Sequence, residues 1–221
     1  MVTLLTLPFL VAPAQKKDWA EFDRYAADNR RLIESGDTIR ALFFGNSITD
    51  SWASMRPQFF SGNRFVGRGI SGQSTYQFLA RFREDAINLH PEIIVINGAT
   101  NDIAENTHPY SEDRTFGNIV SMVELAQANG IKVILTSTLP AVGFKWNRHI
   151  TDAPEKIISL NNRLREYSAS KAIPFVEYFR TLVDTDGRSL RSDLSADGVH
   201  PNETGYEIME NMILPVIGNF H

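Results

Sequence analysis

Ser47 lies in the stretch ALFFGNSITDSW, two residues after the glycine that ends an apolar run. A serine hydroxyl is a weak nucleophile unless a neighbouring base removes its proton. Far along the chain, Asp197 and His200 stand three apart in SADGVHPN. In a tight turn that spacing lets the carboxylate reach the imidazole Nδ1–H and hold one tautomer, leaving Nε2 to accept a proton from a serine. Asn101, in GATND, offers a side-chain amide. Gly72, in GRGISG, offers a backbone N–H that a substrate can approach closely. Both are donors of the kind that stabilise a developing oxyanion. Each segment also has a plainer reading: Ser47 as a helix cap, Asn101 as an Asx turn, and the other two as ordinary turns.

The elements that must position these residues can be read from hydrophobic periodicity. Ile39 to Phe44, Glu92 to Ile96, Ile131 to Thr136 and Ile173 to Val176 are short continuous apolar runs, and Arg64 to Val66 is a weaker one. Helical spacing is predicted between them: Lys16 to Ser35 with Trp19, Phe22, Tyr25 and Ala26 on one face, Ser51 to Phe60 broken by Pro57, and Thr75 to Ile87. Further helices are predicted from Ser111 to Asn129-Gly130, from Ala153-Pro154 to about Lys171, and over Glu203 to Ile217. Gly67, Gly69 and Gly72 read as a glycine-rich loop, and Leu139 to Asp152 as a long irregular one. Strands that are apolar throughout and alternate with helices predict a parallel sheet covered on both faces, in one domain over residues 16–221. Ligands of such sheets bind beyond the carboxyl ends of the strands, where Ser47, Gly72 and Asn101 fall.

Four blocks in this order, GNSITD, GRGISG, GATND and DGVHPN, resemble those of the SGNH/GDSL serine esterases and lipases, over Phe43 to about Tyr206. The resemblance implies a flavodoxin-like three-layer α/β/α sandwich with a five-stranded parallel sheet. It implies Ser47 as nucleophile, His200 as base and then acid, and Asp197 as the residue that orients His200. The Ser47 N–H, the Gly72 N–H and the Asn101 amide would form the oxyanion hole. Two positions depart from the family pattern: Asn46 stands where an aspartate is usual, and Ala99 where a glycine is usual. If position 99 requires a positive φ, Ala99 is strained. The strained Gly-x-Ser-x-Gly elbow of other hydrolases is absent, because Ile48 and Thr49 follow Ser47.

Within that family the phrasing resembles the small acetylhydrolases, both the platelet-activating-factor type and the carbohydrate acetylesterases. No long apolar groove or lid-like insertion follows Ser47, which favours a short acyl group such as acetyl on a small-molecule or glycan ester. Trp146 and Phe144 would offer a sugar-stacking face, with His149 lining the same cleft. A lysophospholipase or thioesterase is the alternative, and a non-catalytic glycan-binding relative is another. A nucleotide-binding flavodoxin relative would need more glycine after the first strand.

The bulk composition narrows the partners. The 221 residues carry 22 Lys and Arg against 26 Asp and Glu, a net charge of -4 without like-charge blocks, so no nucleic-acid partner is expected. With no cysteine, disulfides, thiolate metal sites and a cysteine nucleophile are excluded. The histidines show no metal-ligand spacing, and no metal or cofactor is expected. The first 15 residues are apolar from Val2 to Leu10, too short for a membrane span, and then read Ala12-Pro13-Ala14-Gln15. That ending predicts a signal segment and a secreted or periplasmic protein. The alternative reads the segment as an arm packed on the domain of a cytoplasmic protein.

Overall fold

The computed structural model describes residues 18–220, so the N-terminal apolar segment and His221 lie outside the described residues. In chain order the helices and strands are α1 (Ala26–Ser35), β1 (Ala41–Gly45), α2 (Ser47–Met55), α3 (Pro57–Gly62), β2 (Phe65–Gly69), α4 (Thr75–Asp85) and β3 (Ile93–Asn97). They continue with α5 (Thr100–Ile103), α6 (Glu112–Ala128), β4 (Lys132–Thr136), α7 (Ala153–Ser170), β5 (Phe175–Val176), α8 (Tyr178–Leu182) and α9 (Glu203–Gly218). The strands form one sheet in the order β2-β1-β3-β4-β5, and every pairing is parallel. This is the expected α/β/α sandwich. Its winding direction reverses between β1 and β3, which opens a crevice at their carboxyl ends.

Successive strand residues point to opposite faces, so neighbours in sequence enter different cores. Phe43 packs edge-on against Trp52, Phe59 and Phe60 beneath α2, α3 and α9. Phe44 packs edge-on against Phe78 and Phe82 of α4 on the other face. All these rings are buried, and each contributes roughly 1.5–3 kcal/mol through removal from water. The two apolar layers cover the sheet from both sides.

Several boundaries differ from the sequence reading. The single helix predicted from Lys16 to Ser35 is instead a turn at Trp19, a 3₁₀ turn at Phe22–Arg24, and then α1. Glu21 has φ 54°, which no helix tolerates. The carbonyls a helix would use are taken from outside: Trp19 O accepts from Gln77 Nε2 and Ala20 O from Gln73 Nε2, both at 2.8 Å. Trp19 and Phe22 therefore face solvent instead of forming an apolar stripe. The helix predicted from Ser51 starts at Ser47, and the break expected at Pro57 is present, with Pro57 opening a separate α3. The weak strand runs on to Gly69, so Gly67 and Gly69 are sheet residues and only Gly72 lies in a loop. The short helices α5 and α8 carry too few residues to show periodicity.

Candidate active site

The turn out of β1 places Ser47. A side-chain carbon on Gly45 would come within 2.2 Å of Thr49 Oγ1 and 2.6 Å of the Asn97 carbonyl, so only glycine lets the strand turn this tightly into α2. Asn46 caps that helix, its Oδ1 accepting from the Ile48 N–H at 3.1 Å. Ser47 is the first helical residue, so its own N–H has no intrahelical partner. The cap explains why an amide can replace the family's usual acid at this position: either side chain supplies the accepting oxygen. Asn46 is fully buried, and its Nδ2 has no partner among the described residues.

His200 comes from the loop before α9. Its Nε2 lies 2.8 Å from Ser47 Oγ, and its Nδ1 lies 2.7 Å from Asp197 Oδ2. Asp197 Oδ1 also accepts the N–H groups of Val199 (2.9 Å) and His200 (2.8 Å) and the Ser195 hydroxyl (3.2 Å). Partial burial alone would raise the Asp197 carboxyl. The donors from the His200 backbone and ring and from the Val199 backbone outweigh it and bring the group down to about 2. The carboxylate is thus ionised and aimed at the imidazole. A clamp between α2 and α9 holds the two halves together. Tyr206 donates to the Ile48 carbonyl at 2.8 Å, and buried Glu210 takes both the Trp52 indole N–H (3.1 Å) and Arg56 (2.9 Å).

Gly72 and Asn101 border the same cavity as Ser47, Gly72 after β2 and Asn101 after β3, the strands on either side of β1. Gly72 adopts φ 81°, with open space where a side chain would stand. Asn101 Nδ2 donates to the Gln73 carbonyl at 2.9 Å, which fixes the orientation of the amide. Gln73 is itself buried; its Oε1 accepts from Arg81 Nε at 2.6 Å. Arg81 is wholly buried, pairs with Asp85 at 3.1 Å, and donates to the Gly45 and Arg68 carbonyls, each at 3.0 Å. One guanidinium therefore ties the ends of β1 and β2 to the loop that carries Gly72. Beside Asn101, Asp102 accepts from the Thr75 N–H at 2.9 Å, from the Thr75 hydroxyl, and from Thr115 at 3.2 Å. Burial lifts its carboxyl to about 6 against the pull of those donors. Ala99 has φ 79°, so the strain foreseen at this position is present.

Ser47, Gly72, Asn101 and His200 line a cavity of about 480 Å³ together with Ser51, Ser71, Asn106 and Trp146. The Trp146 indole donates to Asn106 Oδ1 at 2.9 Å, and Asn106 Nδ2 donates to the Gly72 carbonyl at 3.2 Å. Trp146 thereby hangs over the opening, its ring 6.3 Å from that of His200. Phe144, expected to share this face, is buried behind Trp146 with ring centroids 5.2 Å apart, and lines a different cavity. His149 is exposed and does not border the opening. The loop brings one of its three candidates to the site, because the Phe144–Trp146 contact uses one ring to brace the other. Asn106 was not singled out from sequence: an asparagine in ENTHPY reads as a turn residue, and its partners lie 34 and 40 positions away. Among the described residues, no group of His, Asp and Glu is arranged to hold a metal ion.

A serine hydroxyl on an imidazole that is held by a carboxylate, facing fixed N–H donors across a cavity, is an arrangement able to transfer acyl groups. Comparison with known proteins points the same way. The profile of the GDSL-like lipase/acylhydrolase family matches residues 43–208. The crystal structure of a candidate acylhydrolase from Bacteroides fragilis superposes with a TM-score of 0.89 at 55% identity, covering 92% of this chain and 98% of that one. The uncharacterized lipoprotein YqeF of Bacillus subtilis is 27% identical over 154 residues, 62% of this chain and 63% of its own. An acetylxylan esterase of Xylanibacter ruminicola is 23% identical over 218 residues, 82% of this chain and 43% of its own. The chain spans about half the length of the curated relatives it matches.

Proposed function

The chain belongs to the GDSL-like lipase/acylhydrolase family, and from that premise we propose that it is a carboxylic ester hydrolase that removes short acyl groups, chiefly acetyl, from carbohydrate esters. The observation that carries the reading is the relay from Ser47 Oγ through His200 to Asp197, at 2.8 and 2.7 Å, opening onto a cavity bordered by Gly72 and Asn101. His200 Nε2 takes the hydroxyl proton as Ser47 Oγ bonds to the ester carbonyl carbon. Asp197 stabilises the imidazolium that results. The carbonyl oxygen becomes an oxyanion that meets the Ser47 N–H, the Gly72 N–H and the second amide hydrogen of Asn101, the first being spent on the Gln73 carbonyl. His200 returns the proton to the departing alcohol, leaving an acyl-serine. Water then attacks with His200 again as base, and the carboxylic acid is released.

The acyl preference rests on the walls. Apart from Trp146, the cavity is lined by serine, glycine, asparagine and histidine, and no aliphatic side chain among the described residues lines it. The acetylxylan esterase relative supports an acetyl ester on a sugar. A secreted or periplasmic location accords with the Ala-x-Ala ending of the first 15 residues and with the lipoprotein relative. No helix among the described residues is long and apolar enough to cross a membrane. The test is an acyl-length series of chromogenic esters, acetyl to octanoyl, on wild type and Ser47→Ala. The expected outcome is a kcat/KM that falls with chain length and vanishes in the variant. Activity equal in both proteins removes Ser47 as nucleophile, and a preference for octanoyl favours the lysophospholipase or thioesterase alternative.

A further inference from the structure

A second cavity, of about 450 Å³, adjoins the first and shares Ser71, Gly72 and Asn106 with it. Its outer wall is the segment carrying Asp18, Trp19 and Glu21, and its floor includes Gln77 and His108. Trp19 is 48% exposed, whereas Trp52 is buried at 1%. The exposure does not come from a loose chain end. The Trp19 and Ala20 carbonyls are held by Gln77 and Gln73 at 2.8 Å, and Ala20 is fully buried. The backbone therefore presents a large aromatic face that contributes little to the core. Across the shared boundary, Trp146 stands over the first cavity. Two exposed indoles thus flank one continuous depression, and Gly72 with its bare Cα forms the pass between its halves.

The chemistry of the second cavity selects its occupant. Among the described residues its lining carries two carboxylates and no lysine or arginine, which disfavours an anionic group. Its carboxylates, Asp18 and Glu21, accept hydrogen bonds from hydroxyl groups, and an indole face packs against the C–H face of a pyranose ring. A neutral sugar offers both features at once.

We propose that the Trp19 cavity binds the neutral sugar unit next to the one being deacylated, so that the enzyme is adapted to acylated oligosaccharides rather than to acylated monosaccharides. The proposal rests on the carbohydrate-ester reading above and adds a subsite to it. Trp19 is the principal contact, with Asp18 and Glu21 holding hydroxyls.

The test compares wild type, Trp19→Ala and Trp19→Phe on three substrates: p-nitrophenyl acetate, acetylated xylose and acetylated xylo-oligosaccharides. Wild type is expected to favour the oligosaccharide over the monosaccharide roughly tenfold in kcat/KM, the size of one good aromatic contact. Trp19→Ala is expected to erase that advantage through KM, leave p-nitrophenyl acetate hydrolysis unchanged, and be largely rescued by Trp19→Phe. Equal wild-type kcat/KM on both saccharides overturns the subsite. So does a parallel loss on all three substrates in Trp19→Ala, which would make Trp19 a support for the Gln73 loop. Hydrolysis of p-nitrophenyl acetate with neither saccharide accepted overturns the carbohydrate reading itself, and the subsite with it. That result appears in wild type alone, before any variant is compared.

Discussion

The two flanks of Ser47 are built on opposite plans. On one side, Asp197 and His200 occupy a short turn that satisfies itself: the carboxylate takes two backbone N–H groups, a hydroxyl and the imidazole from within six residues. Their side chains keep 37% and 31% exposure. On the other side, Asn101 is rooted in buried contacts through Gln73, Arg81 and Asp85, and Gly72, itself exposed, sits next to Gln73 in the same loop. The contrast follows from the jobs proposed for them. A group that exchanges protons with substrate and solvent works at the water boundary. Donors that must already point at a developing charge are most effective when nothing around them can relax.

The largest expected effect breaks the turn side. Asp197→Asn and His200→Ala should each cost about 10⁴-fold or more in kcat. Because the turn is local and half-exposed, their melting temperatures should fall by less than that of the buried Arg81 variant described below, which calorimetry checks. A large loss of stability would mean that the turn is also a structural brace.

The difference between the flanks also governs what could be read in the sequence. Ser47, Gly72 and Asn101 each follow a strand closely, and Asp197 and His200 share one turn, so short local signals single them out. The parallel sheet was legible because its strands are apolar on both faces, as IIVI in β3 shows. Gln73, Arg81 and Asn106 were not legible. Gln73 works by reaching 8 residues to Arg81 and 53 to Ala20, and a side chain whose partners are that distant leaves no periodic trace. Trp19 was misplaced on a helix for the same reason: the groups that pull its backbone out of helical form come from α4. Within the 139–152 loop, no repeat distinguishes Phe144 turned inward from Trp146 turned outward.

The next effect reverses the pattern. Arg81→Met leaves Asp85 buried without its partner, which should destabilise the fold by about 3–5 kcal/mol. For a chain of this length the melting temperature should drop by roughly 10 °C. Arg81→Met is thus expected to be less stable than Asp197→Asn yet more active at low temperature. The opposite order would dissolve the contrast between the flanks. Asn101→Ala follows, with kcat reduced about 10²–10³-fold, or about 2.7–4 kcal/mol, and KM nearly unchanged on p-nitrophenyl acetate. A change confined to KM would place Asn101 in ground-state binding instead.

The smallest effect is in the pH dependence of stability, where the flanks should differ in sign. Asp197 is depressed to about 2 from 3.8, so its contribution is present above about pH 4 and lost as the pH falls toward 2. Asp102 is raised to about 6, so its contribution is present below about pH 4 and lost as the pH rises toward 6, on the order of 2–3 kcal/mol. Urea midpoints from pH 3 to 7 should therefore decline between 4 and 6 in wild type and in Asp197→Asn, and the decline should be absent in Asp102→Asn. A decline that persists in Asp102→Asn assigns it to another group.

The contact between Ser47 and His200 spans 153 residues. During synthesis Ser47 is made 153 residues before His200. Until then the hydroxyl has no base, and α2 lacks the Tyr206 and Glu210 contacts that seat it. A chain stopped before His200 therefore lacks the base proposed for Ser47, and the proposed chemistry waits on the loop ahead of α9 and on the contacts that seat α9 against α2.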